Sequence, residues 1–229
     1  MDANAARHPA SQSSKLCEIP YPSVTDVRTF RRSLVWLAVC ILAVILCMAY
    51  IDRPVADFVQ EHLHRRVLVA CMDGFLYLAP LALLLALLLL FAAGYSAFRG
   101  QKLGSWAQTP LLCSWSGVWA LSVAVVLKRI VGRSSVDPNY IVGHYYGFQP
   151  FHGVGSYESF PSGTTAVAAA LLAVAWLRFP SLRGVWVLLL LLTAFALVAT
   201  HSHWVSDIIG GGFLGFLVGS MTTRLLRSA

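Results

Sequence analysis

Charge is scarce in this chain: only 12% of its 229 residues are Asp, Glu, Lys or Arg, against 58% hydrophobic residues. Together with a mean hydropathy of +0.70, that scarcity excludes an ordinary soluble domain of this size. The sequence has five cysteines, Cys17, Cys40, Cys47, Cys71 and Cys113. None has metal-site or disulfide spacing, so they read as small apolar residues. Convincing internal repeats are absent, and no cleavable signal is expected before the first apolar run. The net charge of +7 is not massed in one segment and accompanies no nucleic-acid motif, which argues against a nucleic-acid partner and for a topological meaning.

What the sequence has is long apolar runs. They cover Ser33–Ile51, Phe75–Phe98, Thr109–Leu127, Gly163–Leu177, Gly184–Thr200 and Trp204–Leu226, each near the roughly 20 residues that cross a hydrocarbon core, the fourth being short. The expectation is an all-α polytopic membrane protein of about six helices in the cell membrane. An even count puts both termini on one side. Arg7, Lys15, Arg28, Arg31 and Arg32, with Arg99, Lys102, Arg178, Arg183, Arg224 and Arg227 in alternate loops, name that side as cytoplasmic.

Residues 1–32 are polar and Ser-rich and read as a disordered cytoplasmic tail; residues 33–229 read as one membrane domain. Pro54–Arg66 places Val55, Phe58, Val59 and Leu63 at near-helical spacing, the pattern of a short interfacial helix. The long stretch from Lys128 to Pro161 is rich in Gly, Tyr, His and Ser. It reads as an outer cap loop over a site. Trp204, Tyr140, Tyr145, Tyr146 and Tyr157 read as interfacial-belt aromatics. Gly211, Gly215 and Gly219 recur every four residues and suit close helix packing within the chain, with homodimerisation through the last helix as the alternative.

Three segments carry chemistry, and the predicted topology brings them to the non-cytoplasmic face. His203 and Asp207 are four residues apart, on one helix face, where a carboxylate can fix the imidazole tautomer and leave the other nitrogen as base or nucleophile. Ser162 and Gly163 open a helix whose N-terminus offers free N–H groups to an anion, although capping alone is the commoner role of such a turn. Lys128, Arg129 and Arg133 lie on the side the charge rule disfavours, which suggests phosphate binding beside the plainer reading as snorkelling anchors.

In these residues the chain resembles the phosphatidic acid phosphatase type 2 (PAP2) family, which shares its fold with vanadium haloperoxidases and bacterial acid phosphatases. Family members carry Lys, six residues, Arg-Pro; then Pro-Ser-Gly-His; then Ser-Arg, five residues, His, three residues, Asp. Lys128, the internal Gly132-Arg133, Pro161-Ser162-Gly163, His203 and Asp207 match. Ser135 and Val136 stand at the first Arg-Pro, Thr164 at the His, and Ala196 and Leu197 at the last Ser-Arg.

The resemblance implies a six-helix bundle and a metal-independent, cofactor-free hydrolysis of a lipid phosphate or pyrophosphate through a phosphohistidine. His203 would be the nucleophile and Asp207 its orienting carboxylate, with Lys128, Arg133, Ser162 and Gly163 as phosphate ligands. Thr164 is no strong acid near neutral pH, so the substitute donors are His152, His144 and His201, or else the leaving group is a weak base, as in a pyrophosphate. Arg129 is a second substitute cation. The rivals are a lipid phosphotransferase and a catalytically degenerate protein that binds or moves phospholipid.

Overall fold

The computed structural model describes residues 27–63, 78–100, 107–151 and 155–225. Among them it is all-helical apart from one isolated antiparallel bridge between Arg133 and Phe148. Seven α-helices follow in order: α1 Val27–Tyr50, α2 Asp52–His62, α3 Leu78–Phe98, α4 Gln108–Val131, α5 Gly163–Arg178, α6 Arg183–Ala199 and α7 Val205–Leu225. Two compact units divide within α1, at Ala38 and Val39. The first contributes only helical residues to the description, and the second holds every contact below.

The segments Arg31–Tyr50, Gln108–Val131, Pro180–Ala199 and Val205–Leu225 are long and apolar enough to cross a membrane, while Leu84–Phe98 and Gly163–Arg178 are shorter apolar helices. Within the described residues, each of the six apolar runs of the sequence is thus helical. Leucines such as Leu42, Leu85, Leu88, Leu188 and Leu192 stay about half exposed, the expected state of side chains that face lipid. The interfacial helix is α2, starting at Asp52 rather than Pro54 and ending at His62. The expected tail overlaps the structure at residues 27–32, which are helical; the rest of it lies outside the described residues, as do Cys17 and Cys71.

The centre of the bundle is built on small residues. Helix α5 turns Ala166, Ala169, Ala170 and Ala173 inward, and Ala120 and Ala124 of α4 pack on the first and third of these with Leu214 and Val218. On α7 the glycine stripe presses directly on the α5 backbone: a Cβ at Gly211 would stand 2.4 Å from the Ser162 oxygen, at Gly215 2.0 Å from the Ala166 oxygen, and at Gly219 2.4 Å from the Ala170 oxygen. Without side chains between them the helices approach to backbone contact, which gains dispersion along their length. The glycine face is therefore filled within the chain. At one end the same contact brings the start of α5 against the start of α7, where the N–H of Ser162 donates to the Asp207 carbonyl at 3.0 Å.

Helix α4 stops at Gly132, which takes the left-handed conformation (φ 57°) and caps the helix through its N–H to Lys128 O at 2.9 Å. A side chain cannot sit there, because its Cβ would lie 1.7 Å from the Gln149 oxygen. The chain beyond it folds back on itself: Gln149 N–H donates to Gly132 O at 2.6 Å, Ser134 N–H to Gly147 O at 3.0 Å, Ser135 N–H to Ser156 O at 2.8 Å and Ser159 N–H to Arg133 O at 3.1 Å. These bonds tie Gly132–Ser135 to the returning segments around residues 147–149 and 156–159. Beneath it, Ala56 of α2 packs with Val136 and Trp204.

Candidate active site

Asp207 is the fixed point of the site. It lies in the first turn of α7 and is fully buried. Its Oδ1 accepts from Arg133 Nη1 at 2.5 Å, and its Oδ2 accepts from Ser159 Oγ at 2.5 Å and from the Trp204 N–H at 3.0 Å. Two of these donors are neutral and one is a cation, so the carboxylate is held by charge-assisted bonds in a dry setting.

His203 stands beside it. Its Nδ1 is 3.6 Å from Asp207 Oδ2 and the side chain is 13% exposed. That spacing is longer than a hydrogen bond, and Nδ1 has no hydrogen-bond partner. The sequence spacing does bring the pair together, with Nδ1 turned to the carboxylate and Nε2 left as the other ring nitrogen. His203 is set by the α6–α7 corner, where its N–H and that of Ser202 both reach Leu197 O. Leu197 and Ala196, at the positions where the resembled family has Arg and Ser, are buried apolar side chains.

Ser162 caps α5. Its Oγ accepts from Thr165 N–H at 3.3 Å and from Thr165 Oγ1 at 2.9 Å, which leaves its own hydroxyl proton for another acceptor. Lys128, in the last turn of α4, reaches over this helix start: a Cβ on Gly163 would lie 3.7 Å from Lys128 Cε. Its Nζ donates to the Glu158 carbonyl oxygen. The serine cap and a lysine side chain therefore meet at one place, beside the N-terminus of α5.

Arg133 corrects an expectation. Read from the sequence as a phosphate ligand, its guanidinium is only 1% exposed and both Nη atoms are taken. Nη1 donates to Asp207 and to Ser206 Oγ at 2.6 Å, and Nη2 to Asp52 Oδ2 at 2.6 Å and Tyr146 Oη at 2.9 Å. The rings of Tyr146, Phe148 and Trp204 lie 5.3, 5.8 and 5.3 Å from its Cζ. Burial opposes this charge, but Asp207 above all, then Tyr146 and Asp52, outweigh it and hold the guanidinium above its ordinary range. It is a structural cation.

The other candidates separate. Arg129 is exposed on α4, His144 is exposed in the cap loop, and Thr164 is half-buried in the first turn of α5. His201 is buried with Nε2 3.3 Å from Ala56 O, so it faces α2. His152 lies outside the described residues.

Sequence reasoning missed Asp52, Ser159 and Ser206. Asp52 Oδ1 accepts from Ser206 N–H at 3.0 Å and Oδ2 from Ser206 Oγ at 2.6 Å. The usable signal was an acidic residue directly after the first apolar run, at a depth where carboxylates are uncommon. Trp204 also differs from expectation. Far from lying in an interfacial belt, it is 1% exposed and its Nε1 donates to Ser134 O at 2.9 Å. Tyr146, half-buried, belongs to the same network, with its hydroxyl donating to Met48 O at 3.0 Å.

Comparison with known proteins bears on family and fold. A family model described as the PAP2 superfamily matches residues 111–228. The lipid A 1-phosphatase of Rhizobium johnstonii is 30% identical over 186 residues, 76% of this chain and 73% of that protein. The lipid A 1-phosphatase of Rhizobium etli is 30% identical over 131 residues, 54% of this chain and 56% of that relative's length. In fold the chain is similar to the first transmembrane PAP2 type phosphatidylglycerolphosphate phosphatase from Bacillus subtilis, with a TM-score of 0.56 at 20% identity over 83% of this chain and 96% of that one. On the family match over half its length, the two 30% identical relatives and the shared fold, this chain belongs to the PAP2 superfamily.

Proposed function

We propose that the protein is a membrane lipid phosphatase that removes a phosphate or pyrophosphate group through a phosphohistidine on His203. The observation that carries the reading is the junction of α5 and α7: an imidazole in the bend just before α7, rather than on the helix itself, turns its Nδ1 toward the fixed carboxylate of α7, and the start of that helix is bonded to a capped, lysine-flanked helix N-terminus. Nε2 of His203 attacks phosphorus, the P–O bond to the lipid breaks, and the lipid oxygen leaves with the bonding pair. Water then cleaves the P–N bond and releases inorganic phosphate. Lys128, the hydroxyl of Ser162 and the first N–H groups of α5 from Gly163 stabilise the charged equatorial oxygens. Arg133 takes no part in binding, and Arg129 is the remaining cation of this end of α4.

The relatives support a lipid substrate, since both are lipid A 1-phosphatases by name. Thr164 supplies no acid for an alkoxide, which favours substrates whose leaving group is already a weak base. The loop charges support a topology with both termini in the cytoplasm and the site on the opposite face. Two observations favour a second reading, a phospholipid-binding protein without turnover: the His203–Asp207 pair is open at 3.6 Å, and two cation positions of the family hold Ser135 and Leu197.

Phosphate release by the purified protein from phosphatidate, phosphatidylglycerol phosphate, isoprenyl pyrophosphate and lipid A, with His203→Ala as control, decides between them. Release that the variant lacks is expected. Equal background from both proteins across the four lipids would establish the binding reading instead.

A further inference from the structure

Two carboxylates share one guanidinium. Arg133 bridges Asp207 on α7 and Asp52 on α2 at 2.5 and 2.6 Å, and all three side chains are essentially excluded from solvent. Ser206 strengthens the link on the Asp52 side: its Oγ accepts from Arg133 Nη1 and donates to Asp52 Oδ2, while its N–H donates to Asp52 Oδ1. The cluster therefore keeps one negative charge more than its cation cancels. With Asp52 neutral, Arg133 and Asp207 would cancel each other, and the imidazole of His203 would face a neutral pair.

We propose that Asp52, on the interfacial helix α2, is a positioning residue for the reaction at His203: through Arg133 and Ser206 it holds Asp207 in place and leaves it the net negative charge that stabilises the imidazole as it takes up phosphorus. This rests on the phosphohistidine reading above. Asp52 does not touch substrate. Its contribution grows as positive charge develops on the attacking imidazole and is nearly absent when substrate merely binds, so it appears in kcat. Substrate binding responds in the opposite sense, because a buried negative charge near a phosphate site repels the ligand. The geometry also gives α2 a reason to dock at the mouth of the bundle, since its first residue completes the buried cluster.

The test uses the full chain in detergent micelles, the four lipids named above and orthovanadate as a phosphate-like inhibitor. Asp52→Asn is expected to lower kcat about 10- to 100-fold, the range for removing a group that supports a reacting residue. KM is expected not to rise, and orthovanadate to inhibit at equal or lower concentration than in the wild type. Because Asp52→Asn also breaks a buried pair with Arg133, some loss of Tm is expected and kcat is taken per folded molecule; a merely structural role would leave that kcat unchanged or raise KM. Should Asp52→Asn fail to give monodisperse protein, Ser206→Ala answers the same question; loss of its bridging bonds is expected to lower kcat about 3- to 10-fold at unchanged KM. An active wild type whose Asp52→Asn or Ser206→Ala form keeps full kcat, or loses activity only through KM, overturns the role of Asp52 and leaves the phosphatase reading standing. A wild type that releases no phosphate from any of the four lipids removes both.

Discussion

His203 Nδ1 and Asp207 Oδ2 stand 3.6 Å apart while that same oxygen is held by Ser159 and the Trp204 N–H. The carboxylate is anchored independently of the histidine, so the two residues differ in what their loss does.

His203→Ala is expected to fold with a Tm close to that of the wild type, because its ring is partly exposed and its Nδ1 makes no hydrogen bond. Turnover should vanish. Asp207→Asn should lose turnover and stability together, since it breaks a buried pair with Arg133 whose removal typically costs about 3–5 kcal/mol. Thermal unfolding in detergent beside phosphate release separates the two. An Asp207→Asn protein as stable as His203→Ala would mean that Asp207 does not hold the fold.

Arg133 and Lys128 should part in the same way. Arg133→Met leaves two buried carboxylates facing each other and is expected to unfold or to lose several degrees of Tm. Lys128→Met, on a half-buried side chain, is expected to keep the fold and weaken orthovanadate inhibition. Orthovanadate inhibition unchanged by Lys128→Met would remove Lys128 from the phosphate ligands.

Much of this was legible in the sequence. Over their described residues the six apolar runs are helices, because hydrophobic length is a local property, although the first helix starts at Val27 rather than Ser33 and the third run's helix continues past Leu127 to Val131. Ser162 was legible as a cap for the same reason. Arg133 was not: its neighbours in sequence, Gly132 and the cap loop, point to phosphate, whereas its partner Asp52 is 81 residues away. Trp204 was misread because an aromatic at a helix end looks alike whether it meets lipid headgroups or, as here, fills the space between α2 and the loop. Long-range pairing decides both cases, and periodicity carries no signal of it.

The glycine stripe gives a prediction internal to α7. Gly215→Ala places a methyl group 2.0 Å from the Ala166 oxygen, whereas the same change at Gly212 meets only Thr165 Cγ2 at 3.7 Å. The first is expected to destabilise by about 1–3 kcal/mol, as overpacking does, and the second to be near neutral. Because α5 and α7 together position Ser162 and Asp207, Gly215→Ala should also reduce turnover. Gly215→Ala at wild-type stability, with a changed oligomeric state, would show that the stripe serves an interface between copies.

Thr164 sets the last expectation, which concerns the leaving group. It occupies the position of the family's His in the first turn of α5; of the substitutes read from the sequence, the two among the described residues have other settings, His144 being exposed in the loop after α4 and His201 facing the Ala56 oxygen on α2. If no side chain replaces that His as general acid, the rate follows the basicity of the departing oxygen. Isoprenyl pyrophosphate, which expels a phosphate, is expected to react much faster than phosphatidate, which expels an alkoxide. Thr164→His should then raise phosphatidate turnover selectively, by the roughly 10²–10⁴-fold that general acid–base catalysis contributes, and change the pyrophosphate rate little. Rates on the two lipids in wild type and variant measure both effects. Equal wild-type rates, unchanged by His144→Ala, His152→Ala or His201→Ala, would show that proton donation does not limit this enzyme and that Thr164 has no bearing on its substrate range.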